Sequence, residues 1–142
     1  MIDHAQFREH VVRYALKCTG TWSHAAENLV VGTALAESGL KFLRQKGGGP
    51  ALGLFQIEPS TFFDVTLYLG RRFELRDSIL QHCGLKSMPN AGSIHVLADH
   101  LSFGALICRS IYIRQEEPLP DADDIVELGT YWKKYYNTPL GS

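Results

Sequence analysis

Asn28-Leu-Val-Val-Gly-Thr-Ala-Leu-Ala-Glu-Ser-Gly39 is the stretch on which the fold turns. Leu29, Val30, Val31, Ala34, Leu35 and Ala36 are apolar nearly all round a helical wheel, the pattern of a helix buried at a domain centre. Thr21 or Ser23 can cap its start, and Gly39 supplies its C-terminal turn. Glu37 is the first charge after the uncharged run. In the last turn of such a helix, apolar surroundings and the negative end of the helix dipole both disfavour its ionised form. Both effects raise its pKa, and a carboxylic acid still protonated near neutrality suits general-acid cleavage of a glycoside. A helix-terminal Glu can equally be solvated or paired, and Lys41 and Arg44 stand near enough in the chain to pair with it.

The chain around this helix has 142 residues, which suits one domain, residues 1–142, with one core. Its 45% hydrophobic and 20% charged residues are those of an ordinary soluble globule. A formal net charge of -1, with Lys and Arg scattered, argues against nucleic acid as a partner. Cys18, Cys83 and Cys108 share no close spacing and read as reduced, mostly buried thiols. The N-terminal residues carry no apolar signal core, and no run is long enough to span a membrane. Synthesis in the cytoplasm without membrane insertion is therefore expected.

Phe7, Val11, Tyr14 and Ala15 predict a first helix over Asp3 to Lys17. The run from Arg44 to Pro50, with three consecutive glycines, is a loop. Pro59 suits the first position of a helix over Ser60 to Leu69. A charged patch from Arg71 to Asp77 leads into a short helix near Ser78–His82, closed by Gly84. Ile94 to Arg114 reads as the longest helix, and Asp121, Asp123 and Asp124 favour a last one reaching about Tyr136. The predicted class is mainly α, with at most a small β element near residues 40–57. No metal or cofactor is expected: His95 and His100, five apart, fall on different helix faces, and no His-Glu-x-x-His occurs. Gly47-Gly48-Gly49 lacks the Lys-Ser/Thr of a phosphate loop and is either a connecting turn or a flexible lip over a cleft.

Sixteen residues after Glu37 comes Gly53-Leu54-Phe55-Gln56-Ile57, followed by Pro59, Ser60 and Thr61. Glu-Ser-Gly, a glycine-containing loop, Gly-Leu-aromatic-Gln-Ile and Pro-x-Thr together resemble the lytic transglycosylases and goose-type lysozymes of the lysozyme-like superfamily. Leu101-Ser-Phe-Gly-Ala105, continuing to Arg114, is similar to the family's helix with Gly-Ala before Leu-Arg. Tyr135-Tyr136-Asn137 is similar to its Ala-Tyr-Asn motif. Phe55 replaces the family's usual Met, and Thr-Pro-Leu-Gly replaces Ala-Gly or Gly-Gly after Asn137. Residues 62–92 match no part of the pattern.

The resemblance implies a lysozyme-like fold and cleavage of peptidoglycan between N-acetylmuramic acid and N-acetylglucosamine. Glu37 would act as general acid and then as base, with the muramic primary hydroxyl closing a 1,6-anhydro ring. An internal nucleophile needs no second carboxylate, because it is held at high effective concentration. Ser38 and Gln56 would orient Glu37 or the sugar without adding charge. Gly53 would admit backbone close to the saccharide, Leu54 and Phe55 would line an apolar wall, and Tyr136 and Asn137 would meet a sugar ring and an N-acetyl group. Phe55 reads as well as plain core, and Tyr136 and Asn137 as a tie for the C-terminus.

A hydrolytic lysozyme is the first alternative, with Glu58 or Asp64 as second carboxylate. A non-catalytic glycan-binding or structural virion component is the second, since fold does not fix function. The expected partner is the glycan strand, alongside other virion or lysis proteins. The expected setting is a monomeric bacteriophage endolysin or virion enzyme acting on the wall after release or within a particle.

Overall fold

The computed structural model describes residues 1–45 and 47–137, and within them the chain is mainly helical. In order the helices are α1 (His4–Gln6), a segment with π-type bonding (Phe7–Arg13), α2 (Tyr14–Cys18), α3 (His24–Ser38), α4 (Pro59–Gly70), α5 (Phe73–Cys83), α6 (Val96–Asp99), α7 (Leu101–Ile113) and α8 (Ile125–Tyr135). The first three run on without interruption and so match the single predicted N-terminal helix.

α3 is the axis of the fold. Ser23 caps it by accepting the Ala26 N–H at 3.0 Å, and Gly39 ends it in the left-handed region at φ 60°. Ala26, Leu29, Val30, Val31 and Ala34 are all buried, packed by the N-terminal helix, α7 and α8. Along α7, Phe103, Ala105, Leu106, Ile107, Cys108, Ile111 and Tyr112 are buried as well. One continuous apolar cluster joins these helices to α4 and α5.

Two predicted elements are corrected. Ile94 to Arg114 is not one helix: at His100 the backbone turns extended (φ -113°, ψ 95°), separating α6 from α7, and α3 is longer than either. The break is held by the imidazole. Nδ1 accepts the Phe103 N–H at 3.2 Å, so Nε2 carries the proton and donates to the Cys83 carbonyl at 3.0 Å. Second, α5 starts at Phe73 rather than Ser78, because Leu75 and Ile79 give the charged patch a buried stripe. Among the described residues of 40–57 there is no strand, only single antiparallel bridges from Leu52 to Arg44 and to Ile57, which agrees with the expectation of at most a small β element.

The Gly53–Ile57 block is therefore a tight loop, closed by reciprocal Leu52–Ile57 backbone bonds at 3.0 Å. Gly53 sits at φ 80°, and a Cβ there would lie 2.1 Å from the Leu97 carbonyl oxygen of α6. Backbone of the same protein, not of a ligand, explains this glycine. Gly53→Ala combines positive-φ strain with overpacking and should destabilise by about 2–4 kcal/mol. Urea denaturation would check it; a loss below half a unit of that range would mean the loop relaxes freely.

Candidate active site around Glu37

Glu37 occupies the last turn of α3, half-buried. Burial raises its carboxyl pKa above the ordinary value, and a hydrogen bond from the Trp132 indole partly opposes that rise. The indole Nε1–H donates to Oε2 at 3.2 Å. Neither Lys41 nor Arg44 forms an ion pair with it, nor does any other cation among the described residues. A neutral donor holds the carboxylate without the strong pKa depression that a guanidinium would impose.

The same helix supplies its own contrast in Glu27, which sequence reasoning passed over. Only 1% exposed, Glu27 receives Arg13 Nε and Arg8 Nη1 at 2.7 Å and Trp22 Nε1 at 2.9 Å. Burial alone would raise its pKa, but the bonds from Arg13, Trp22 and Arg8 hold it at about 2. Two carboxylates ten residues apart on one helix are thus driven in opposite directions. Glu27 is a permanent anion and a structural clasp; Glu37 is the one left able to carry a proton.

Trp132, which the sequence reading also missed, is brought to Glu37 by the docking of α8. Asn28 Nδ2 donates to the Ala122 carbonyl at 3.0 Å ahead of that helix, and Asp124 caps it through the Glu127 N–H. Tyr131 and Tyr136 both pack on the buried Tyr112 ring of α7, which in turn bonds Thr33 of α3 at 2.7 Å. The Tyr136 hydroxyl donates to the Phe55 carbonyl, tying the end of α8 to the Gly53–Ile57 loop.

Between α3 and α8 lies a mainly apolar cleft of about 410 Å³, within the size range of small-ligand sites. Gly32 and Ala36 form one wall and Leu128, Gly129 and Trp132 the other. The cleft exists because small residues face each other, and a Cβ placed on Gly32 or Gly129 would meet open space. Glu37 itself is not among the lining residues; its chain neighbour Ala36 and its hydrogen-bond partner Trp132 are.

The other predicted residues serve mostly structural ends. Ser38 is buried; its hydroxyl donates to the Ala34 carbonyl at 3.1 Å and accepts the Leu40 N–H at 3.2 Å, holding Leu40 at φ 60°. Leu54 and Phe55 are 3% and 2% exposed, so neither presents a wall to a ligand, and the expectation of a sugar face on Phe55 is corrected. Tyr136, 6% exposed, is likewise a tie rather than a platform. Gln56 Nε2 donates to the Gly53 carbonyl at 2.8 Å, closing its own loop. Asn137 is exposed beyond α8, its N–H bonded to the Trp132 carbonyl.

Glu58 stands before α4 and, with Gln56, Thr61, Arg114 and Tyr135, lines a notch of about 20 Å³, room for little more than one water. Asp64 is exposed on α4. Neither belongs to the lining of the α3–α8 cleft. No group of three or more His, Cys, Asp or Glu among the described residues could hold a metal ion, and no described helix is long and apolar enough to cross a membrane. Comparison with protein-family models, curated proteins and solved structures gives no significant match to the chain.

Proposed function

We propose that the protein cleaves a glycan strand of peptidoglycan as a lytic transglycosylase, with Glu37 as its single acid–base group. One observation carries the reading: a half-buried carboxyl with raised pKa, held by an indole N–H and by no cation among the described residues, at the end of a buried helix whose Ala36 lines an open cleft together with Trp132. In the protonated state Glu37 gives its proton to the bridging oxygen as positive charge develops on the muramic ring. The resulting carboxylate, stabilised by Trp132, takes the proton of the muramic primary hydroxyl as that oxygen closes the anhydro ring. The sequence motifs shared with lytic transglycosylases supply the substrate class.

Mass spectrometry of digested wall decides the reaction. Anhydromuramic ends are expected; reducing ends would make the enzyme a lysozyme, and intact wall under all conditions would leave a glycan-binding role.

The glycan is proposed to run along the α3–α8 cleft, with one sugar against Trp132. Gly129→Leu tests the path, because its side chain would enter space now empty. Replacing a helical glycine should keep or raise the Tm, while kcat/KM falls at least about tenfold through lost binding. Unchanged kcat/KM would put the strand elsewhere.

Trp132→Phe keeps an aromatic wall and removes only the N–H. With that donor gone, desolvation acts on Glu37 unopposed and its pKa rises further. The alkaline limb of the activity profile should move to higher pH, and kcat should fall about tenfold, the value of one hydrogen bond to a charged group. A fall in Tm with an unmoved pH limb would reduce Trp132 to packing.

A further inference from the structure

A second hollow, of about 420 Å³, opens between the α2–α3 turn, α5 and α7, and its lining is mostly polar. Arg109 forms part of it from α7, a helix whose neighbouring residues Cys108 and Ser110 are buried. Its Nε–H donates to the Thr21 carbonyl at 2.9 Å, which fixes the plane of the guanidinium. The terminal N–H groups have no protein acceptor among the described residues, and they are not sealed from solvent. Arg72, at the head of α5, lines the same hollow; its guanidinium lies 5.8 Å from the Tyr68 ring centroid and donates to the Tyr68 hydroxyl at 2.6 Å, and its other N–H groups have no acceptor among the described residues. Neither arginine forms an ion pair among the described residues. The Ser78 hydroxyl is a further donor in the lining with no protein partner among them.

A half-buried guanidinium without a counter-charge is unfavourable unless an anion completes it. Burial pushes the Arg109 pKa down, the direction expected of an uncompensated cation. Orientation is already set by Thr21, so an arriving anion would meet a prepared fork rather than a free side chain. Glu74 is the opposing feature: its carboxylate shares the lining, leaving two guanidiniums against one negative group. From this arrangement we propose that the hollow is a binding site for an oxyanion, best met by a phosphate group, with Arg109 and Arg72 as its two forks and Ser78 as a neutral donor. Two cations lining one hollow match a doubly charged tetrahedral anion better than a single carboxylate. The proposal does not depend on the reading of Glu37.

The test is a titration with inorganic phosphate at constant ionic strength, following the Arg109 side-chain Nε–H resonance by NMR. Parallel titrations with acetate separate carboxylate from phosphate, and chloride controls for screening. A saturable shift is expected with phosphate, about tenfold tighter than with acetate. Arg72→Gln, an exposed position whose loss leaves the core intact, should weaken phosphate at least about tenfold. Arg109→Lys retains the charge but not the fork and should weaken it similarly, whereas Glu74→Gln should tighten it severalfold. Equal affinity for acetate would reassign the site to carboxylates. No saturable shift, a shift reproduced by chloride, or an Arg72→Gln variant with unaltered affinity would overturn the proposal.

Discussion

Glu37→Gln should lose about 10²- to 10⁴-fold or more in wall-cleaving rate while folding at least as well as the parent. The amide keeps the size of the carboxyl, and its oxygen can still accept the Trp132 N–H. What disappears is the transferable proton. The effect on stability has a definite sign. Burial raises the folded-state pKa of Glu37 above its unfolded value. The fold therefore favours the protonated acid, and that preference is lost as pH rises through the folded pKa. Above its folded pKa the parent holds an unfavourable buried charge that the amide lacks, so there the variant should have the higher Tm. In acid, where the parent acid is protonated too, the difference should vanish. This is the stability–activity conflict expected of a catalytic group kept against its surroundings. Turbidity loss of a wall suspension and thermal melts at alkaline and acid pH measure both quantities. Full activity in the variant would remove Glu37 from the chemistry, and a lower Tm at alkaline pH would show that its charge is a structural asset instead.

The sequence made the central helix legible because α3 is surrounded: a segment buried on nearly every side must be apolar on nearly every side. For the same reason Glu37 stood out as the charge that breaks the run. The split at His100 was hidden, since α6 and α7 share one apolar pattern and only a side-chain cap to Phe103 and Cys83 separates them. Gly53-Leu-Phe-Gln-Ile57 was readable as a special loop but not as one turned inward. Its composition is the same whether it faces a ligand or, as here, packs Leu54 and Phe55 into the core and its backbone on Leu97. Trp132 lies 95 residues from Glu37, a separation that local periodicity cannot bridge. A weak signal existed: Leu128, Trp132 and Tyr135 recur at helical spacing on α8, which marks the face that docks but not the atom it docks upon.

Glu27 gives the largest effect on stability. Its two guanidinium partners come from the N-terminal helix, Arg8 on one side and Arg13 on the other, and the Trp22 indole closes a third. Glu27→Gln leaves these donors around a neutral amide whose own N–H groups cannot face them. The cationic side chains lose their partner at a site where the acid itself is 1% exposed. Breaking such a buried pair costs about 3–5 kcal/mol, and because both arginines are about a third exposed, water can screen them and the lower end is expected. Against a total stability of about 5–15 kcal/mol for an ordinary domain, that is a large fraction. The pH dependence runs opposite to that of Glu37. The folded carboxyl is held at about 2, well below its unfolded value, so its contribution is present above the unfolded pKa and is lost as pH falls toward the folded one. Between about pH 4.3 and pH 2 the parent should therefore surrender about 2 kcal/mol through this group. The Gln variant, lacking it, should show a flatter acid limb. Urea denaturation of both proteins at neutral pH and at pH 3 yields the two stabilities and their slopes. Parallel acid limbs would show that the clasp is dispensable and that α3 is held to the N-terminal helix by apolar packing alone.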